Sequence, residues 1–99
     1  MTLRQLRYLI AIADSGLNIT LAAERVHATQ SGISKQLKQL EDELGFPVFL
    51  RKGKSLERIT APGAHIIERA RSILAEAADI RVFAANQRKD AAGQLRIAT

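Results

Sequence analysis

The chain has 99 residues, 46% of them apolar, which is enough core for one small domain of limited buried fraction. Lys and Arg number 15 against 10 Asp and Glu, a formal charge of +5 that points to an anionic partner, nucleic acid or membrane surface. With no cysteine, disulfide frameworks, zinc fingers and cysteine nucleophiles are excluded.

Leu3, Leu6, Leu9, Ile10 and Ala13 recur at steps of three and four, the pattern of an amphipathic helix that Gly16 ends. Arg4, Arg7 and Asp14 interrupt this apolar stretch at helical spacing and no small-residue cleavage site follows, so it does not read as a signal peptide. No stretch of the chain spans a bilayer, and a cytoplasmic protein is expected.

Asn18 is an N-cap for a second helix, Ile19 to about Val26, whose Ala22, Ala23 and Val26 are small enough for another helix to cross closely. A three-residue connection, His27 to Thr29, leads into the stretch TQSGISKQLKQLEDEL. At 100° per residue, Ile33, Leu37, Leu40 and Leu44 form a narrow apolar stripe. Ser31, Lys35 and Lys38 lie opposite, flanked by Gln30 and Ser34, with Thr29 as N-cap and Gly45 as the stop. Lysines occupy the first half of this helix, whereas Glu41, Asp42 and Glu43 crowd the second and read as solvated charges. Only the first half suits a polyanion.

On this stretch alone an ordinary amphipathic surface helix would look the same. With the short alanine-faced helix before it the pair reads as a helix-turn-helix, the alternative being an unrelated helical hairpin. In a helix-turn-helix the second helix enters a major groove with small and amide side chains near its N-terminus. The turn lacks the glycine many such motifs use, so His27 is either strained or marks a longer turn.

After Gly45, Val48–Leu50 and Leu56–Ile59 read as two short strands, with Arg51, Lys52, Gly53, Lys54 and Ser55 at the hairpin tip. A basic hairpin beside a reading helix is a wing, its cations facing phosphate or the adjacent minor groove. A solvated turn has a similar composition.

Thr60 caps a fourth helix that tolerates Pro62 in its first turn. Ile66, Ala70, Ile73, Ala77, Ile80 and Ala84 then alternate steps of four and three, flanked by Ile67 and Leu74. A helix to Asn86 or Gln87, about 40 Å long at 1.5 Å per residue, outruns so small a core. Its seam is expected to meet the same seam of a second copy, giving a two-fold homodimer, while its first part also covers the first three helices. Residues 88–92 read as a polar linker, and Gly93–Thr99 alternates like a strand without a partner, as at the start of a further domain.

Gly53-Lys54-Ser55 is not the end of a P-loop, because Val48 stands where the earlier glycine is required and no helix follows. His27 and His65 are lone imidazoles on different elements, so packing or surface roles are expected and no metal site. Three consecutive acids on a helix point in different directions and cannot act together in acid–base catalysis. No nucleophile has a base at a recognisable spacing, so neither enzyme activity nor a cofactor is expected.

The order of elements, with LAAERV, TQSGISKQLKQLEDELG, VFLRKGK and ITAPG at their spacings, resembles the DNA-binding region of LysR-type transcriptional regulators, over Met1 to Gln87. LNIT, SGISKQ and EDELG look most like the CysB branch, which governs sulfur assimilation and cysteine synthesis. The resemblance implies a mainly α winged helix-turn-helix (1–60), three helices plus a two-stranded wing, then a long dimerisation linker helix (61–87). Residues 88–99 would be the hinge and start of an effector-binding domain. Full-length members are usually tetramers and take a small-molecule inducer on that domain. In the family the positions matching Gln30, Ser34 and Lys35 reach the major groove, and the wing arginine matching Arg51 reaches the adjacent groove or backbone. Many members have proline where this chain has Ser31, which bears on the base contact made there. The expected interface with double-stranded DNA is thus Thr29, Gln30, Ser31, Ser34, Lys35, Lys38, Arg51, Lys52 and Lys54. The expected dimer seam is Ile66, Ala70, Ile73, Leu74, Ala77, Ile80 and Ala84. The competing reading is a protein-interaction module whose long helix is the working surface and whose basic wing is incidental.

Overall fold

A computed structural model describes the backbone of residues 1–98 and the side chains of residues 1–89. Helix α1 (Leu3–Asp14) starts at a capping box in which Thr2 Oγ1 accepts from Gln5 N at 3.1 Å and Gln5 Oε1 accepts from Thr2 N at 3.0 Å. It ends where Gly16 and Leu17 both adopt φ 65° and Leu17 N donates back to Ile12 O at 3.0 Å.

Helix α2 (Ile19–Arg25) is capped by Asn18, whose Oδ1 accepts from Leu21 N at 3.0 Å. It closes with Ala28 N donating to Ala23 O at 2.9 Å and His27 N to Glu24 O at 3.3 Å, the paired bonds of a Schellman motif. His27 occupies its left-handed position with φ 55°. The tight turn is therefore kept without glycine, and His27 carries the strain. An L-residue in this conformation costs roughly 1–2 kcal/mol, partly offset in glycine by a more flexible unfolded chain. His27→Gly is expected to stabilise the domain by roughly 0.5–1 kcal/mol in denaturant unfolding; a loss of stability would show that the imidazole makes compensating contacts.

Helix α3 (Gln30–Leu44) has the expected ends. Thr29 Oγ1 accepts from Gly32 N at 2.9 Å, and Gly45, at φ 86°, donates its N–H to Glu41 O at 2.9 Å. Its apolar stripe, Ile33, Leu37 and Leu40, packs with Leu6, Leu9 and Ile12 of α1 across Ala22 and Ala23 of α2. The alanines have no bulk to hold the other two helices apart.

Strand β1 (Phe49–Lys52) pairs antiparallel with β2 (Ser55–Ile59), with a register shift between Leu50 and Arg51. Arg51 and Lys52 are strand residues opposite Leu56 and Ser55, so the hairpin tip is shorter than the sequence suggested. Gly53, at φ 62°, makes the tight turn possible. Val48, Phe49 and Leu56 fasten the wing to the helical core.

Helix α4 is Ala61–Ala98, 38 residues. Ile67 and Ala70 complete the core, with Ile66 and Leu74 packed at its edge. The expected linker at 88–92 and strand from Gly93 are corrected: the helix continues through both to Ala98, and Thr99 lies outside the described residues. An unpaired strand leaves its backbone groups without partners, whereas a helix satisfies its own, and one glycine costs only about 1 kcal/mol. Arg71 of α4 grips Asp14 at the end of α1 through Nη2–Oδ1 at 2.6 Å and Nη1–Oδ2 at 3.3 Å. The hydrogen-bonding guanidinium holds the Asp14 carboxyl below its usual range, so the pair's contribution is present at neutral pH and lost as acid protonates Asp14. Both side chains are about half exposed, and solvent screening leaves the pair under ~1 kcal/mol.

Candidate nucleic-acid interface

The apolar stripe of α3 is consumed by the core, which fixes the helix's rotation and turns its polar side outward. Thr29, Gln30, Ser31, Lys35 and Lys38 are exposed and Ser34 is half-buried. Gln30 and Ser34 line an open cleft of about 430 Å³ with Lys54 and Ser55 of the wing, closed at the other end by residues 16–20 from the α1–α2 connection. One elongated ligand can therefore touch the polar face of α3 and the wing together. Asn18 and Thr20 line the same cleft and were not among the expected contacts, because only the folded chain brings the start of α2 beside α3.

The cations differ in their freedom. Lys35, Lys52 and Lys54 are exposed and make no ion pair among the described residues. Lys38 Nζ lies 3.1 Å from Asp42 Oδ1, one turn along the helix, so its charge is partly neutralised. Arg51 Nη2 lies 3.7 Å from Glu41 Oε1, while the side chain remains 39% exposed and open to a further partner.

Glu41 is the main surprise. As one of three consecutive acids it is expected to be a solvated charge, yet it is 9% exposed. Its Oε2 accepts from Val48 N at 2.7 Å and Phe49 N at 3.3 Å, tying the second half of α3 to the start of β1. It sits 40° from Leu37 at 100° per residue, on the wing side of the stripe, a position from which it could have been identified. Asp42 is exposed as expected, and exposed Glu43 meets the Met1 ammonium at 2.7 Å.

The expected dimer seam divides. Ala70 is buried inside the protomer, with Ile66 and Leu74 against the same core. Ile73 and Ile80 are 39% and 68% exposed, Ala84 is exposed, and Ala77 is half-buried. Ile73, Ala77 and Ile80 share an apolar groove with Leu3 of α1. Val82 and Phe83, outside the expected seam, are also largely exposed.

His27 and His65 are both exposed, and no cluster of three or more potential metal ligands occurs among the described residues. No described helix is long and apolar enough to cross a membrane.

Three small helices with a two-stranded wing packed against the second half of α3 define a winged helix-turn-helix module. Residues 3–64 match the model of the bacterial regulatory helix-turn-helix proteins of the lysR family, and the chain belongs to that family. It is 46% identical over 99 residues to the transcriptional regulator CysB of Haemophilus influenzae and 38% identical to cbl of Klebsiella aerogenes, covering all of this chain and 31% of each relative. It thus spans about a third of the length of these curated relatives. Among solved structures, the CbnR DNA-binding domain in complex with DNA superposes with TM-score 0.72 at 40% identity, covering 87% of this chain and 99% of that one. The BenM DNA-binding domain bound to benA site 1 DNA gives 0.79 at 27% identity, covering 87% and 94%. Full-length OxyR from Pseudomonas aeruginosa gives 0.82 at 38% identity, covering 87% of this chain and 28% of its own. The relatives are transcriptional regulators, not enzymes.

Proposed function

We propose that this chain is a sequence-specific binder of double-stranded DNA, with α3 in the major groove and the wing on the adjacent backbone or minor groove. The observation that carries the reading is the shared cleft, in which Gln30 and Ser34 of α3 stand beside Lys54 of the wing. The solved DNA complexes of CbnR and BenM domains of the same family support it. Gln30, Ser31 and Ser34 read base edges, Thr29 and Lys35 border them, and Arg51, Lys52 and Lys54 with Lys38 hold phosphates. Substituting Gln30 or Ser34 is expected to relax base preference, each bidentate contact being worth roughly 1–3 kcal/mol. Lys52→Gln and Lys54→Gln should weaken all duplexes alike and each flatten the dependence of log affinity on log salt by about one unit. If both classes of variant changed binding in the same way, this division of labour would be wrong.

So few base contacts discriminate a site well only when two copies bind together, which requires a homodimer. The exposed Ile73, Ile80 and Ala84 of α4, with half-buried Ala77 between them, form the open part of the seam, Ile66, Ala70 and Leu74 supporting it from within. Ile80→Glu is expected to convert a dimer to a monomer in sedimentation and to abolish cooperative site binding, with the helical content of the headpiece retained. A variant that remained dimeric would remove Ile80 from the seam.

The finer reading is a cytoplasmic regulator of sulfur or cysteine metabolism genes, supported by identity to CysB and cbl across the whole chain. In this reading 1–60 is the headpiece, 61–87 the linker and 88–99 the approach to an effector domain that binds the inducer and completes a tetramer. A protein-interaction module with an incidental wing predicts instead a dimer without salt-sensitive DNA affinity.

A further inference from the structure

A second basic surface lies outside the interface described so far. Arg4 and Arg7 of α1 and Arg25 of α2 are exposed, and none is in an ion pair among the described residues. Arg4 and Arg7 separate two adjoining clefts. One, of about 450 Å³, is completed by Tyr8, Arg25 and Val26; the other, of about 360 Å³, by Thr2 and Gln36. Neither is lined by a carboxylate. The nearby Asp14 is already committed to Arg71, and its backbone carbonyl accepts from Arg25 Nη1 at 3.3 Å, which steadies that guanidinium.

The place of this surface relative to α3 gives it meaning. Helix α1 runs antiparallel beside α3, with Met1 against Glu43 and Gln5 Nε2 donating to Gln36 Oε1 at 3.2 Å. The next turn of α1 therefore reaches toward the α2–α3 connection, next to the N-terminal half of α3. Gln36 and Ser34 are two residues apart, about 200° around the helix, so the arginines flank α3 on the side away from the wing. A helix about 10–12 Å across fills a major groove about 12 Å wide and has a phosphate backbone along each flank. The wing serves one of these. On the other flank Arg4 and Arg7 share a cleft with Gln36 of α3, and their guanidiniums match phosphate oxygens in a planar fork.

We propose that Arg4, Arg7 and Arg25 form a second phosphate-contacting surface, gripping the duplex backbone on the flank of α3 opposite the wing. The proposal rests on the duplex-DNA reading above and adds to it a set of contacts that fix the helix in the groove from both sides. An acidic protein surface is the other partner such arginines suit; the place of Arg4 and Arg7 along the flank of α3 opposite the wing favours DNA.

The test compares wild type with Arg4→Gln/Arg7→Gln and Arg4→Lys/Arg7→Lys on one duplex of about 30 base pairs recovered from a random pool, titrated across salt concentrations. The Gln pair is expected to flatten the log–log salt slope by roughly two units, about one for each phosphate no longer neutralised, with base preference unchanged. The Lys pair keeps the charges and should keep most of the slope, which separates the electrostatic role from helix packing. A Gln pair with wild-type slope overturns the proposal and leaves the arginines to an acidic protein partner. A Lys pair as defective as the Gln pair also overturns it, in favour of a structural role. A wild-type chain with no salt-dependent duplex affinity would instead overturn the DNA reading itself.

Discussion

Gly63→Ala is expected to destabilise the domain by about 3 kcal/mol, lowering Tm by roughly 10–20 °C, although glycine-to-alanine changes inside helices ordinarily stabilise by up to about 1 kcal/mol. Gly63 is in the first turn of α4, where a Cβ would stand 2.2 Å from Val48 O and 2.6 Å from Thr60 Oγ1. Neither atom is free to retreat. Val48 is fully buried, and Thr60 Oγ1 donates toward Pro47 O at 2.8 Å and Val48 O at 3.1 Å while accepting from Gly63 N at 2.9 Å. The backbone at Thr60 adds a further bond, its N–H to Val48 O at 2.9 Å. The start of the long helix is thus held directly on the base of the wing, a close approach open only to a residue without a side chain. Thermal unfolding of the variant checks this, and a Tm at or above wild type would show that α4 moves off β1 at little cost.

Glu41→Ala should cost about 3 kcal/mol, because it strips the acceptor from two buried backbone N–H groups, each worth roughly 1–3 kcal/mol when left unsatisfied. Glu41→Gln keeps an oxygen for Val48 N and Phe49 N and should lose about 1 kcal/mol. It also turns an amide toward Arg51, whose guanidinium then has no carboxylate beside it. Urea unfolding of the two variants separates these effects. Equal losses in Ala and Gln would mean that charge, rather than backbone satisfaction, is what Glu41 supplies.

The two anchors differ in how readable they are. Helices α1, α2 and α3 follow from the sequence because their ends carry their own chemistry, Asn18 and Thr29 accepting from the first turn and Gly45 ending the last. Glu41 escapes because charge suggests solvent, whereas its place beside Leu37 sets its carboxylate over the start of β1. Gly63 is silent in sequence, since only the fold brings Val48 O against it. The hairpin tip is shorter than its composition suggests, because pairing of Arg51 and Lys52 with Leu56 and Ser55 depends on how tightly Gly53 turns. For α4, the a/d rhythm is visible but not the division of its residues between the protomer's own core and open surface. Its continuation past Gln87 runs against the alternation of Gly93–Thr99, since a single glycine is a weak helix stop. The outward polar face of α3 can be assembled from helical periodicity; the cleft joining Gln30 and Ser34 to Lys54, Asn18 and Thr20 cannot.

If the polar half of α3 occupies a major groove, twice per dimer, it must shield guanine N7, which faces only that groove. Dimethyl sulfate footprinting on a selected duplex reads this directly. Two blocks of protected N7 positions are expected, separated by about 10 base pairs or a multiple of it, each vanishing when Gln30 and Ser34 are replaced by alanine. Tight binding that leaves every N7 reactive, or protection that survives those replacements, would contradict the placement of α3 in the groove.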